Sequence, residues 1–222
     1  MVLILESCAR LGGAIILAGG DSSRLGYPKP LLELEGVPLI EIMVRRLSLL
    51  FEQITVVTDR QELFAGLPVK LTGDLLAGDV KSPLRGIHAG LSLSDLPFQF
   101  VAACDMPFIN LELVRYMSSF APQYDAVVPR IGSYYQPLHA FYSRSCIDPI
   151  REQYELGECK VTAFYDKIKV HYIGYAEIAR FDPGQRSFFN INTWADYLEA
   201  QKLLPELKRL QLHSACPWGK EL

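Results

Sequence analysis

The segment between residues 17 and 29 combines backbone freedom with positive charge. It reads Leu-Ala-Gly-Gly-Asp-Ser-Ser-Arg-Leu-Gly-Tyr-Pro-Lys. The adjacent glycines Gly19 and Gly20 let the chain turn tightly and bring backbone N–H groups against a ligand, because no Cβ intervenes. Such N–H groups form an anion-binding concavity, and Arg24 and Lys29 add two cations, as a polyphosphate requires. The segment therefore predicts a phosphate-binding loop. The alternative is a glycine-rich turn with solvated charges.

A carboxylate and two amides complete the set of residues that could do chemistry. Asp105 directly follows an apolar run, and Mg²⁺ takes one or two carboxylates together with phosphate oxygens. Asp105 is therefore the predicted metal ligand, and a turn aspartate before Pro107 is the alternative. Asn190 and Asn192 alternate with Ile191, so both amides point to one side if the segment is extended. Turn residues that cap the final helix are the alternative for these asparagines.

Other common chemistries lack their signatures here. The spacings G-x-x-x-x-G-K-[ST] and G-x-G-x-x-G are absent, which disfavours P-loop hydrolases and Rossmann dehydrogenases. The G-x-S-x-G segment that is typical of serine hydrolases is absent as well. Cys104 is expected to be a small buried residue rather than a nucleophile, and His139 a satisfied core histidine rather than a base.

The elements that must position these residues alternate between strands and helices. Predicted strands cover 14–17, 54–58, 69–71, 98–103, 126–129, 138–142 and 170–173; predicted helices cover 39–51, 61–64, 86–93, 111–120, 147–165 (broken at Gly157) and 194–204; and a long loop covers 72–84. Fully apolar strands such as the first are typical of a parallel sheet buried on both faces. The alternation predicts a three-layer α/β/α, Rossmann-like fold with a mostly parallel sheet. Ligands of such folds bind at the carboxyl ends of the strands.

Composition narrows the class of protein. The 222 residues are 50% hydrophobic and 21% charged, as in a globular protein. The net charge of −3 gives no global attraction to nucleic acid or to an anionic membrane. No apolar run approaches the roughly 20 residues that span a bilayer, and no secretory signal opens the chain. Five unevenly spaced cysteines favour free thiols in a reducing compartment. We therefore expect one cytoplasmic domain over 1–222, with its core at about 14–204, a short N-terminal extension and a C-terminal tail.

The ordered motifs resemble those of the MobA-like nucleotidyltransferase family. The predicted loop is similar to the family's opening signature, L-A-G-G-x-x-x-R-[ML]-G-x-x-K, which is shared across the superfamily. The segments at 29–39, 82–87, 104–108, 136–140 and 189–193 resemble the later motifs in the same order. The resemblance spans about 14–201, and within the family it is closest to the molybdenum cofactor guanylyltransferases.

The resemblance implies a fold of the nucleotide-diphospho-sugar transferase type and a specific reaction. GMP would pass from GTP to the terminal phosphate of molybdopterin carrying molybdenum (Mo-molybdopterin), with release of pyrophosphate. Mg²⁺ is the implied cofactor, and other proteins of molybdenum cofactor biosynthesis or acceptor proteins are further implied partners. The implied roles are guanine and phosphate binding by the backbone of Leu17, Ala18, Gly19 and Gly20, phosphate neutralisation by Arg24 and Lys29, nucleotide contact by Asp74, metal binding by Asp105 and pterin contact by Asn190 and Asn192. An ordinary Gly-Asp turn is the alternative for Asp74.

The sequence departs from the family pattern in three places. Pro28 precedes Lys29 where the family usually has an aspartate, and Val57 stands where some members have a nucleotide-contacting asparagine. Ser82 and Arg85 replace a glycine and a small residue in the 82–87 segment. A long cation at position 85 could bind phosphate or obstruct the loop.

Three alternative functions stay open. The cytidylyltransferases that act on the same pterin typically carry L-A-A-G, so the second glycine here favours guanine. Sugar-1-phosphate nucleotidylyltransferases have a P-K-P-like segment, matched here at 28–30, but their lysine lies further from the arginine. A non-catalytic nucleotide-binding module is disfavoured because Lys29 and Asp105 occur together.

Overall fold

The computed structural model describes residues 11–19, 25–78 and 80–211. Its strands are β1 (Leu11–Leu17), β2 (Glu33–Leu34), β3 (Val37–Pro38), β4 (Phe51–Val57), β5 (Lys70–Thr72), β6 (Phe98–Ala103), β7 (Ala126–Ile131), β8 (Tyr134–Tyr135), β9 (His139–Ser143) and β10 (Val170–Ile173). Its α-helices are α1 (Leu39–Leu47), α2 (Pro83–Ser92), α3 (Leu111–Ser118), α4 (Ile147–Glu155), α5 (Tyr175–Ile178) and α6 (Trp194–Gln211). Within these ranges, no helix has both the length and the apolar character needed to cross a bilayer.

The main sheet is mostly parallel, as predicted. Its strand order is β10-β7-β9-β6-β1-β4-β5, and β8 pairs with β7. β1 is parallel to both β4 and β6, and β5 and β10 are parallel to β4 and β7 respectively. β9 runs antiparallel between β6 and β7. Leu17 is in register with both Val57 and Ala103, so the three central strands end at one level.

The two faces of β1 enter different cores, which explains its lack of polar residues. Ala14 and Ile16 pack with α1 and α3, whereas Ile15 and Leu17 pack with α2 and α4. A parallel strand covered by helices on both sides gains burial at every position. The predicted three-layer α/β/α fold is thereby confirmed.

A small third core lies outside the sheet and joins distant parts of the chain. The β2–β3 hairpin turns at Glu35 and Gly36, whose φ angles of 52° and 77° are those of a tight hairpin turn. Leu34 of the hairpin and Leu32 just before it pack with Leu39, Phe108 and Ile191. This core therefore holds the chain just after Lys29 against the segment that precedes α6.

Several predicted boundaries are wrong for identifiable reasons. The predicted helix over 39–51 ends at Leu47, because Phe51 begins β4. The predicted break at Gly157 is confirmed, with φ of 84° there, but the helix ends at Glu155 and does not resume as an α-helix before residue 165. The predicted loop over 72–84 gives way to α2 at Pro83, where the Ser82 hydroxyl accepts a hydrogen bond from the Leu84 N–H and caps the helix.

Candidate active site

The carboxyl ends of β6, β1, β4 and β5 form one continuous edge of the sheet. Neighbouring strands lie about 4.8 Å apart, so the segments that follow β6 and β5 are roughly 14 Å apart. Asp105 lies at one end of this edge and Asp74 at the other, with Gly19 between them. Backbone hydrogen bonds tie neighbouring ends together, from Cys104 N to Leu17 O (3.0 Å), Ala18 N to Val57 O (2.9 Å) and Thr58 N to Thr72 O (2.8 Å).

The start of the predicted phosphate-binding loop lies on this edge. Leu17 and Ala18 are buried and Gly19 is exposed. No described atom lies within 4 Å of the position that a Cβ on Gly19 would take. The backbone of Gly19 is therefore open to a ligand. Gly20 and Arg24, the other predicted residues of this loop, lie outside the described residues.

Lys29 is held in a three-residue 3₁₀ helix, Lys29–Leu31, that follows Pro28. Its Nζ lies 2.8 Å from Asp105 Oδ2 and 2.5 Å from Asn192 Oδ1. The Lys29 side chain is only 20% exposed, so it is not a solvated surface charge. Asp105 and Asn192, which lie 76 and 163 positions after Lys29 in the sequence, thus both contact its ammonium group. The structure therefore brings together three of the predicted site residues.

Asp105 is buried and only partly satisfied by the protein. Its Oδ2 contacts Lys29, but its Oδ1 is buried without a hydrogen-bond partner among the described residues. Buried polar atoms are nearly always paired, so this oxygen is a candidate ligand for a cation or for a group outside the described residues. No group of three or more His, Cys, Asp or Glu side chains that could hold a metal occurs in the described ranges. A cation here would take its other ligands from phosphate and water, which is how Mg²⁺ commonly binds.

The segment before α6 is fixed to the turn after β6. The Ile191 N–H donates to the Asp105 carbonyl oxygen at 3.0 Å. Asp196 Oδ2 accepts from the N–H groups of Asn192 and Thr193, and the Thr193 hydroxyl accepts from the Asp196 N–H. This is a reciprocal capping arrangement, so Thr193 and Asp196 cap α6 while the Asn192 side chain faces Lys29. Asn190 instead donates from its amide nitrogen to the Phe188 carbonyl.

The residues at the opposite end of the edge form a second ion pair. Arg85 Nε lies 3.2 Å from Asp74 Oδ2 and also donates to the Leu76 carbonyl at 3.1 Å. Burial raises the pKa of Asp74; the positive charge of Arg85 lowers it, and the negative charge of Asp59 raises it. The unusual Arg85 therefore neutralises Asp74. The other departure on this edge, Val57, is buried in the core beneath α2, so its side chain does not reach the nucleotide side of the edge.

The remaining candidate nucleophile and base are unsuited to chemistry. Burial, reinforced by the Asp105 charge, raises the pKa of the Cys104 thiol far above its ordinary value. Burial lowers the pKa of His139 to about 3, and its ring lies between those of Phe100 and Phe188. Both residues are buried as predicted. The expectation that His139 is satisfied is wrong, because neither ring nitrogen has a hydrogen-bond partner in the described structure.

Two residues of the site were not predicted in their observed roles. The T-x-x-D spacing at 193–196 is a capping signal and could have identified Asp196. The pairing of Arg85 with Asp74 has no local signal, because it joins a loop to a helix that begins several residues later.

Comparisons with known proteins identify the family of the chain. The family model for the MobA-like NTP transferase domain matches residues 14–169. The chain is 36% identical over 211 residues to a probable molybdenum cofactor guanylyltransferase of Peptoclostridium acidaminophilum, covering 92% of this chain and 95% of that protein. It is 33% identical over 200 residues to a molybdenum cofactor guanylyltransferase of Syntrophotalea carbinolica, covering 89% and 94%.

Solved structures show the same fold. The crystal structure of molybdopterin-guanine dinucleotide biosynthesis protein A from Archaeoglobus fulgidus has a TM-score of 0.78 and 28% identity, covering 87% of this chain and 99% of that one. A 4-diphosphocytidyl-2C-methyl-D-erythritol synthase from Anaerococcus prevotii has a TM-score of 0.61 at 17% identity, covering 88% and 99%. The second likeness concerns the fold alone.

Proposed function

This chain belongs to the MobA-like NTP transferase family, and on that premise we propose that it transfers GMP from GTP to the terminal phosphate of Mo-molybdopterin, releasing pyrophosphate. The observation that carries the proposal is the convergence of Lys29, Asp105 and Asn192 at the same sheet edge as the exposed Gly19. The names of the curated relatives support the choice of nucleotide and acceptor.

The protein catalyses this reaction mainly by positioning the two substrates and by neutralising the negative charge of their phosphates. An oxygen of the acceptor phosphate attacks the α-phosphorus of GTP, and the bond from that phosphorus to the oxygen bridging to the β-phosphate breaks. The bridging oxygen leaves with pyrophosphate. A phosphate monoester has a second pKa of about 6 and is mostly doubly charged at pH 7, so the nucleophile needs no base. Bringing two polyanions together instead needs cations, and Lys29 is placed to supply one.

Mg²⁺ is the proposed cofactor, and the residues present fit it. Asp105 offers one buried carboxylate oxygen that has no hydrogen-bond partner among the described residues, and the GTP phosphates provide further oxygen ligands of the kind that Mg²⁺ prefers. When bound, the ion would neutralise phosphate charge at the α-phosphate. The Asp105 side chain would thus hold Mg²⁺ through Oδ1 while Oδ2 keeps Lys29 in place.

Lys29 is the catalytic cation in this proposal. Asp105 and Asn192 hold its ammonium group from two sides, so its position is set before the substrates arrive. Such preorganisation means that no reorientation is needed when negative charge develops on the transferred phosphoryl group. Asn192 is therefore both a pterin-side contact and a support for Lys29. Asn190 stays a predicted pterin contact.

The nucleotide lies along the same edge, from β6 towards β5. The backbone of Leu17, Ala18 and Gly19 holds guanine and phosphates, with Gly20 and Arg24 as predicted further contacts. Asp74 contacts the nucleotide at the β5 end, because a carboxylate accepts hydrogen bonds from N–H and O–H groups.

We expect GTP, in the presence of Mg²⁺, to raise the midpoint of thermal unfolding more than CTP, ATP or UTP. A ligand at 100 times its dissociation constant adds about 2.7 kcal/mol to the free energy of unfolding. For a chain of this size that is a shift of roughly 5–11 °C. Thermal unfolding with each nucleotide measures it. A larger shift with CTP would favour the related cytidylyltransferase, and no shift with any nucleotide would count against the proposed function.

We expect Asn192→Ala to weaken molybdopterin binding more than GTP binding. Its amide suits the mixed donors and acceptors of a pterin edge, and its loss also releases one of the contacts on Lys29. The KM for each substrate, measured with the other saturating, checks this. Equal increases in both values would remove the pterin assignment.

We also propose a reducing, cytoplasmic compartment, in which further biosynthetic or acceptor proteins could exchange the pterin. Cys104, Cys146 and Cys159 are free thiols in the described structure. Free thiols are usual where the surroundings are reducing.

A further inference from the structure

We propose that Arg85 is a positioning residue that fixes Asp74 and the segment after it in the conformation that receives the nucleotide. The inference rests on the proposed function, since it assigns Asp74 to the nucleotide. No family expectation leads to it, because a small residue is usual at position 85.

The first support is the way Arg85 bridges two points of the segment. Its Nε contacts both the Asp74 carboxylate (3.2 Å) and the Leu76 carbonyl (3.1 Å). Arg85 lies in the first turn of α2, where its own N–H donates to the Ser82 carbonyl. Only 15% of its side chain is exposed. A rigid helix therefore holds a loop carboxylate through one largely buried guanidinium group.

The second support is that Tyr154 of α4 contacts both Arg85 and the far end of the segment that follows Asp74. The Arg85 guanidinium carbon lies 5.9 Å from the centre of the Tyr154 ring. The Tyr154 hydroxyl donates to the Val80 carbonyl at 3.0 Å. Gly78 has φ of 136°, and a Cβ there would lie 2.7 Å from the Tyr154 hydroxyl oxygen. Arg85 and Tyr154 thus fix the segment at both ends, from two different helices.

The electrostatics give Arg85 a second effect on Asp74. Among the residues that the structure describes, the charged groups that act on this carboxylate are Arg85 from α2 and Asp59 from the turn after β4. Tyr154 of α4 packs on Arg85. Burial and Asp59 raise the pKa of Asp74, and Arg85 opposes both. When ionised, the Asp74 carboxylate accepts hydrogen bonds through both oxygens, whereas a protonated carboxyl carries an O–H donor on one of them and accepts more weakly. GTP affinity should therefore fall as the pH falls through this pKa, and removal of Arg85 should move that fall to higher pH.

Steady-state kinetics against pH on the full chain would test the assignment. We expect Arg85→Ala to raise the KM for GTP about tenfold or more while kcat changes less than about twofold, because binding rather than chemistry is affected. The acid limb of 1/KM should move to higher pH. Arg85→Lys should keep the acid limb near its original position and recover part of the affinity, since it retains the cation but not the planar guanidinium. Arg45→Ala, which removes an exposed arginine paired with Glu41 on α1, is the matched control and should change neither quantity.

Two further variants keep the test decisive. Arg85→Met removes the charge but keeps an unbranched stem beneath Tyr154, and it replaces Arg85→Ala if that variant does not fold. In an Asp74→Asn background, loss of Arg85 should have little additional effect on KM. Two results would overturn the role of Arg85 while leaving the proposed function intact, provided that wild type binds GTP. In the first, the Arg85 variants have the KM and the acid limb of 1/KM of wild type. In the second, they lose kcat with KM unchanged. If wild type binds no GTP, the proposed function is overturned and the assignment with it.

Discussion

Lys29→Ala is expected to reduce GMP transfer about 10²–10³-fold, the usual cost of removing one preorganised group that stabilises developing charge. Lys29 contacts both Asp105 and Asn192, so the substitution removes the cation that these residues hold in place. The loss should appear mainly in kcat, because the interaction strengthens as the α-phosphorus is attacked. Turnover measured with saturating GTP and molybdopterin checks this, and near-normal turnover would refute the assigned role.

The stability of the Lys29 variant needs separate attention. Without the ammonium group, Asp105 Oδ2 and Asn192 Oδ1 lose their shared partner. An unsatisfied buried acceptor costs about 1–3 kcal/mol, so the free energy of unfolding should decrease by an amount of that order without loss of the fold. Lys202→Ala, which removes an exposed lysine paired with Glu199 on α6, is the control. It should leave both turnover and stability close to those of wild type.

Asp105→Asn and Asp105→Ala are expected to abolish the Mg²⁺ dependence of triphosphate binding. Wild type should bind GTP more tightly as Mg²⁺ is added, since one Asp105 carboxylate oxygen has no partner in the part of the chain that the structure describes. The variants lose that negatively charged ligand, and they also lose the ion pair that positions Lys29. We therefore expect kcat/KM to fall by at least about 10²-fold.

Titration of each protein with GTP, with and without Mg²⁺, measures the effect. Asp105→Asn preserves the shape of the side chain, and the Asp105 carbonyl that accepts from Ile191 is untouched. Asp95→Ala, which removes a fully exposed aspartate, should retain the Mg²⁺ response of wild type. An Asp105 variant with an unchanged Mg²⁺ response would contradict the metal assignment.

The central strands of the sheet were predictable because β1 and β6 are largely apolar and are buried along most of their length. The predicted strands over 98–103 and 170–173 agree with β6 and β10. The β2–β3 hairpin was missed, because strands of two residues are too short to show a period. The helix predicted over 39–51 was too long, because Leu50 and Phe51 continue its apolar spacing. In the structure both side chains are buried, but Leu50 lies in a turn and Phe51 begins β4.

The site was predictable where a motif follows a strand. The apolar run before Asp105 placed this residue directly after β6, where the structure has it, and the apolar run before Gly19 likewise placed the start of the predicted phosphate-binding loop directly after β1. The contact of Lys29 with Asn192 joins residues 163 positions apart through the third core, and no local pattern encodes it. The pairing of Arg85 with Asp74 depends on where a loop meets a helix, which the sequence leaves open.

We propose above all that residues at one edge of the sheet catalyse the transfer of a nucleotidyl group from GTP to the phosphate of an acceptor. The most direct measurement follows GTP labelled at the α-phosphate or at the γ-phosphate, with Mg²⁺ and Mo-molybdopterin. We expect the α label in the pterin dinucleotide and the γ label in pyrophosphate, in equal amounts and only when the acceptor is present. Release of the γ label as orthophosphate, or an α label that never joins the pterin, would contradict the claim.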